Sequence, residues 1–164
     1  RVFKIEGRAR GAEYVYNVVR CYKEAIQAVL DGDFTEEKKD EWDKRLATVF
    51  NRGFWDGYYQ GQTLGEWNSN YGSNATEKKV YVGRGVKYFS KLGVAEFTCE
   101  AAEFSVGDKL LITGPTTGVM YVDVDEIRYD LNPVQTAQKG QHVSFRVPGK
   151  IRPSDKLFKI VVVE

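Results

Sequence analysis

The sequence predicts an α+β chain: two amphipathic helices, then a small antiparallel β-barrel. Two observations carry this. The spacing of apolar residues changes from three and four to two between about residues 51 and 78. Turn-forming residues then punctuate the second half at short intervals, with all four prolines in or beside the breaks. The predicted organisation is 1–50 for a strand stub and the helices, 51–77 for a linker rich in glycine and aromatic residues, and 78–164 for the barrel.

Val2-Phe3-Lys4-Ile5 alternates for four residues before Glu6-Gly7-Arg8, a length that suits a sheet stub rather than a free-standing strand. From 12 to 30, Val15, Val18, Val19, Tyr22, Ala25, Ile26, Val29 and Leu30 recur at helical spacing, and Asp31-Gly32-Asp33 stops the run. That stripe is wide for a helix with one neighbour, so part of it should be exposed or covered by a partner, and self-association is expected. Thr35 is an N-cap for a second helix over 36–50, with Glu36 and Glu37 in its first turn and Trp42, Leu46, Val49 and Phe50 as its apolar stripe. Between 51 and 75, five glycines alternate with Phe54, Trp55, Tyr58, Tyr59, Trp67 and Tyr71, and no period survives. Strands are predicted at 79–86, 93–99, 109–113, 118–129, 142–147 and 157–163. Closure into a barrel follows because an open sheet of this size would leave long exposed edges.

The 164 residues carry 24 Lys+Arg against 23 Asp+Glu, a net charge of +1, with a pI near 7.9. Such a chain has no global field to hold nucleic acid or an anionic membrane, so any anion binding is local. Locally the charge is uneven. Eight acids face two bases over 96–130, a net of −6, whereas six bases face one acid over 139–159, a net of +5. On opposite sides these segments would make a basic face; as neighbouring strands they would cancel. No stretch reaches the roughly 18 apolar residues of a membrane span. Cys21 and Cys99, with no CxxC, suit a reducing compartment, so a cytoplasmic location without membrane contact is expected.

Within the second half, Val94-Ala95-Glu96, Val106-Gly107-Asp108-Lys109-Leu110, Ile112-Thr113-Gly114, Val124-Asp125-Glu126-Ile127, Lys139-Gly140-Gln141-His142 and Ile151-Arg152-Pro153-Ser154-Asp155 follow one another at spacings that resemble the second-domain β-barrel of translation elongation GTPases. With Phe3-Lys4-Ile5-Glu6-Gly7-Arg8, Glu13-Tyr14-Val15 and Asn51-Arg52-Gly53-Phe54 added, the whole chain resembles the C-terminal portion of the collagenase-like U32 peptidase family. That resemblance implies the end of a TIM-type barrel followed by an appended β-barrel. It also implies a parent that is a peptidase or acts in hydroxylation of tRNA or rRNA, in some members with iron–sulfur cysteines. The family's Gly- and Cys-rich signature has no counterpart here, so a cluster would belong to the upstream part and no cofactor is expected in this chain. Gly11-Ala12 replaces the usual Ser-Pro helix start, and Arg10 the usual Lys. Ile5-Glu6-Gly7-Arg8 is also a recognition sequence for a tag-removing protease, but the flanking residues match the family as well.

No GxSxG, HExxH, GxxxxGK[ST] or GxGxxG motif occurs. His142, the only histidine, falls in a predicted strand with no cysteine beside it, and both cysteines read as small buried or half-buried hydrophobes. Glu6 and Arg8 are the weak catalytic candidates, since they would follow a barrel strand; an ion pair is the alternative for them. No metal ligand set is expected. Arg52 with Trp55 and Tyr58 could stack bases, and Lys139, Arg146, Lys150, Arg152 and Lys156 could touch phosphates or another substrate. The expected role is an accessory module that docks RNA or another substrate for an upstream catalytic barrel. A contribution to a peptidase site and a purely structural or oligomerising barrel are the competing roles.

Overall fold

A computed structural model describes residues 2–54, 61 and 72–163. Contacts divide the chain into two compact units, residues 1–77 with 163–164, and residues 78–162.

In the first unit, α1 (Ala12–Asp31) and α2 (Glu36–Ala47) form where the spacing predicts helix. Gly32 closes α1 in the left-handed conformation, φ 73°, and its amide donates to the Ala28 and Val29 carbonyls. Thr35 caps α2 by accepting the Lys38 amide at 3.4 Å. A small core of Cys21, Ala28 and Trp42, with Ala25 and Leu46, lies between the helices. Its edge is pinned electrostatically: the Trp42 indole donates to Glu24 at 3.2 Å and the Arg45 guanidinium donates to both Glu24 oxygens. The hydrogen bond from Arg45 accordingly holds the Glu24 carboxyl below its ordinary range.

Two expectations are corrected here. Residues 2–7 form no strand; the Glu6 carboxylate instead accepts the Arg8 backbone amide at 2.8 Å. Helix α2 ends at Ala47 rather than 50, because the Asn51 side chain donates to the Ala47 and Val49 carbonyls and Thr48 donates its hydroxyl to the Arg45 carbonyl. Much of the α1 stripe is exposed: Val15, Val19, Tyr22, Ile26, Val29 and Leu30 face outward, while Val18 is buried.

The second unit is strand-built, antiparallel in every register described, and has ten strands where six were expected. They are β1 (Glu77–Phe89), β2 (Val94–Cys99), β3 (Phe104–Ser105), β4 (Lys109–Gly114), β5 (Gly118–Asp123), β6 (Ile127–Tyr129), β7 (Asn132–Val134), β8 (Thr136–Ala137), β9 (His142–Arg146) and β10 (Lys156–Val162). Eight of them pair in the order β5-β4-β10-β1-β2-β9-β6-β7, and β3 pairs with β8. The single strand expected over 118–129 is two strands. Val124 and Ile127 both point inward, and a spacing of three cannot be kept by a two-residue period. The break is fixed by Val124 donating to the Asp108 carbonyl at 3.1 Å and Gly107 donating to the Val124 carbonyl at 2.8 Å.

Every strand but β7 contributes to one buried core, and Val134 of β7 packs against it. At its centre Phe97 and Phe145 stack at 5.0 Å, with Phe104 edge-on to Phe145 at 5.5 Å. One carboxylate, Asp155, is buried among the strands. It accepts the Thr117 hydroxyl at 2.6 Å and the Arg152 amide at 2.8 Å, and its carbonyl accepts the Gly85 amide at 2.7 Å. Gly114 makes room for it, since a Cβ there would sit 1.8 Å from the carboxylate.

Replacing Phe97 by Ala should lower the unfolding free energy of the second unit by about 3–5 kcal/mol, the usual result of emptying a fully packed aromatic site. Denaturant titration of the whole chain measures this; a loss below about 1 kcal/mol would show that the stack is not central to the core.

A groove on the outer face of β2, β9 and β6

Alternation along the three adjacent strands β2, β9 and β6 sends Ala95, Phe97, Val143, Phe145 and Ile127 inward. The same alternation sends Val94, Glu96, His142, Ser144, Arg146 and Arg128 to the opposite face, where they floor a groove of about 600 Å³. Ser144 is the register partner of Glu96 on one side and of Arg128 on the other. His142 Nδ1 stands 3.6 Å from Glu96 and 3.4 Å from the Thr98 hydroxyl, and Arg128 is paired with Glu126. Arg146 is exposed and has no ion-pair partner among the described residues.

The rims are two hairpin tips. One is the β1–β2 turn, with Gly93 at φ 64° and the Val147 amide donating to the Gly93 carbonyl at 3.0 Å; it carries Leu92, which is 70% exposed. The other is the two-residue β6–β7 turn of Asp130 and Leu131, with φ of 47° and 67°. Both residues being left-handed is the geometry of a type I′ hairpin, where Asn-Gly is the favoured sequence. Here the second position is a leucine that is 87% exposed. Phe89 and Val94 continue the apolar lining between the tips.

Of the residues read from the sequence as site candidates, only Arg146 and His142 line this groove. Lys139 stands in the turn before β9 and Lys150 in the loop after it, separated by the length of that strand. Arg152 is held at the Asp155 turn, its amide on the carboxylate and its guanidinium 3.4 Å from the Thr117 hydroxyl, and Lys156 begins β10. The two oppositely charged segments are strand neighbours: β9 lies between β2 and β6, β10 pairs with β4, and Lys159 meets Asp108 at 2.7 Å. Glu6 and Arg8 are both exposed, in the first unit. Arg52 is exposed, while Trp55 and Tyr58 lie outside the described residues. Glu96, Arg128, Leu92 and Leu131 are groove residues that the sequence did not mark as site candidates. The one available signal was an apolar residue inside each of two turn segments, Lys91-Leu92-Gly93 and Asp130-Leu131-Asn132.

Neither cysteine has the environment of a nucleophile. Both are free and buried, and burial raises both thiol pKa values, that of Cys99 to about 11. Among the described residues no three His, Cys, Asp or Glu side chains gather as a metal site. Two buried cysteines do not supply the four thiolates that usually hold an iron–sulfur cluster.

The sequence model of peptidase family U32 matches residues 1–69. A collagenase of Porphyromonas gingivalis strain W83 is 64% identical over 97% of this chain, and a second P. gingivalis collagenase is 63% identical over 97%. The chain belongs to peptidase family U32. An uncharacterized protease of Methanocaldococcus jannaschii is 33% identical over 95% of the chain. The U32 chain spans about two fifths of the length of these curated relatives, 38%, 44% and 39% respectively. Among solved structures, the C-terminal domain of a Geobacillus thermoleovorans U32 protein aligns with 48% of the chain and 90% of that domain, at 22% identity and a TM-score of 0.46. No helix among the described residues is long and apolar enough to cross a membrane.

The cysteine environment predicts a pH dependence. Native Cys99 keeps its proton to higher pH than the unfolded chain does, so its contribution to stability is whole below the ordinary thiol value of 9.0 and is lost as pH rises toward about 11. Unfolding measured across that interval should show a decline of at most about 2–3 kcal/mol from this group. The decline should be shallower in Cys99→Ala; an equal decline in the variant would rule the thiol out as its source.

Proposed function

We propose that this chain is an accessory substrate-docking region of a U32-family protein, not catalytic alone, and that its strand-rich unit is a β-barrel of the kind found as the second domain of translation elongation factors. The observation that carries the docking role is the groove, where an unpaired guanidinium and exposed apolar tips stand over a rigid three-strand floor. Binding sites are commonly built in this way, with loop tips positioned by a packed scaffold. The reading that the chain contributes to a peptidase site is weaker. The thiols are buried with raised pKa values, and Glu6 is engaged by the Arg8 amide. The barrel proposal is supported by the single core to which nearly all strands contribute.

In this reading the chemistry, and any iron–sulfur cluster, belongs to an upstream catalytic barrel of the same parent. The exposed apolar stripe of α1 is the surface that such a barrel would cover, and in its absence a second copy of the chain would do so. The P. gingivalis relatives are named collagenases, which makes gelatin a reasonable first substrate. The purified chain should retain gelatin on a pull-down yet release no peptides from it, and Glu6→Gln, Arg8→Gln and His142→Ala should leave that silence unchanged. Hydrolysis abolished by any of these substitutions would make the chain part of a peptidase site instead. Sedimentation over a range of concentrations should show self-association through α1, reduced by Val19→Ser/Ile26→Ser; a strict monomer with no dye binding would mean that the stripe needs no cover.

A further inference from the structure

We infer that the groove over β2, β9 and β6 takes an extended polypeptide segment in which a carboxylate side chain lies between apolar residues. The carboxylate meets Arg146, and the apolar neighbours are held between Leu92 and Leu131. This rests on the docking role proposed above and specifies its ligand.

Three observations lead to it. The first is Leu131. A non-glycine residue at φ 67° is strained unless it is Asn or Asp, and this one also leaves its apolar side chain 87% exposed. Asparagine would suit the backbone and the solvent better, so the leucine breaks a local rule with no gain inside the fold. Such outliers concentrate where a ligand supplies the missing contact. Leu92 shares the exposure but not the backbone strain: it is 70% exposed on a second hairpin tip and lines the groove with Phe89 and Val94.

The second observation is the charge. Arg128 is neutralised by Glu126, and His142 stands beside Glu96, whereas Arg146 has no partner among the described residues. It offers a planar fork suited to a single carboxylate. Glu96, Glu126 and Asp130 also line the groove. Set against Arg128 and Arg146 they leave the groove slightly acidic with His142 neutral, which opposes a run of phosphates; a single ligand carboxylate is accommodated only at Arg146, the one groove arginine without an ion-pair partner among the described residues.

The third is hydrogen bonding. β9 is paired with β2 along its length and with β6 at Val143 and Ser144, so a ligand lying over this floor meets side chains rather than ladder groups. Recognition therefore falls to side chains, including the Ser144 hydroxyl between Glu96 and Arg128. A volume of about 600 Å³ is within the usual range for a defined site.

The test is fluorescence anisotropy of the full chain with labelled peptides whose centres are Leu-Asp-Leu, Leu-Asn-Leu or Ser-Asp-Ser, and with a labelled single-stranded RNA of similar length. Leu-Asp-Leu should bind best. Arg146→Gln should weaken it about tenfold and abolish its advantage over Leu-Asn-Leu. Leu131→Asn should weaken binding roughly three- to tenfold while keeping or raising the melting temperature, since Asn is better suited to the turn. That combination separates lost contact from lost folding. Peptide binding untouched by both variants would overturn the groove assignment but leave a docking role elsewhere on the chain. RNA binding that falls with salt and with Lys150→Ala/Arg152→Ala, without peptide binding, would overturn the polypeptide ligand and favour RNA docking. No binding of gelatin, peptide or RNA would remove both.

Discussion

The antiparallel register of β2 with β9 is the constraint on which most of the second unit depends. Pairing Phe97 with Val143 and Glu96 with Ser144 sets every odd position of both strands inward and every even position outward. On the inside this brings the Phe97 and Phe145 rings to 5.0 Å. On the outside it gathers Glu96, His142, Ser144 and Arg146 on one surface. A slip of β9 by one residue would exchange its faces, turning Arg146 inward with His142 and Ser144 and exposing Phe145 with Val143. The core therefore selects the register, and the register creates the groove floor as a consequence.

A second anchor is polar. A buried carboxylate is costly unless its oxygens are satisfied, and Asp155 is tolerated because Thr117 and the Arg152 amide both donate to it, in space left by Gly114. Its carbonyl accepts the Gly85 amide of β1, and the neighbouring Ser154 amide donates to the Gly85 carbonyl, so the loop before β10, the β4–β5 turn and β1 are fixed relative to one another. Arg152 is held at this anchor through its amide, which makes it part of the frame whatever else its guanidinium does.

Charge in this unit is organised by strand adjacency rather than by sequence block. Strands of the basic 139–159 segment and the acidic 96–130 segment are neighbours in the sheet, and partners such as Lys159 with Asp108 offset individual charges. In the groove, Arg146 stands without an ion-pair partner beside apolar tips, a combination suited to side-chain recognition. The separation of roles is physical: the packed strands provide rigidity, while the hairpin tips, where a side chain need not be buried, are free to carry residues that the fold itself does not require.

The sequence by itself determined what short-range chemistry controls. Thr35 and Gly32 mark a helix start and a helix stop because capping is a matter of neighbouring backbone groups. The alternation over 93–99 and 142–147 marks strands, and the placement of Cys21 and Cys99 on apolar faces marks them as buried or half-buried; both are buried. The strand boundary at 124–126 was not legible, because it depends on hydrogen bonds to Gly107 and Asp108 from a distant turn. The failure of residues 2–5 to form a strand has the same origin: alternation supplies a candidate, and only a paired neighbour makes a strand of it. Tertiary structure alone decided the groove. Its residues come from 89–96, 126–131 and 142–146, segments with no local relation, and Leu131 is in the left-handed region against its own preference because the β6–β7 pairing closes the hairpin in two residues.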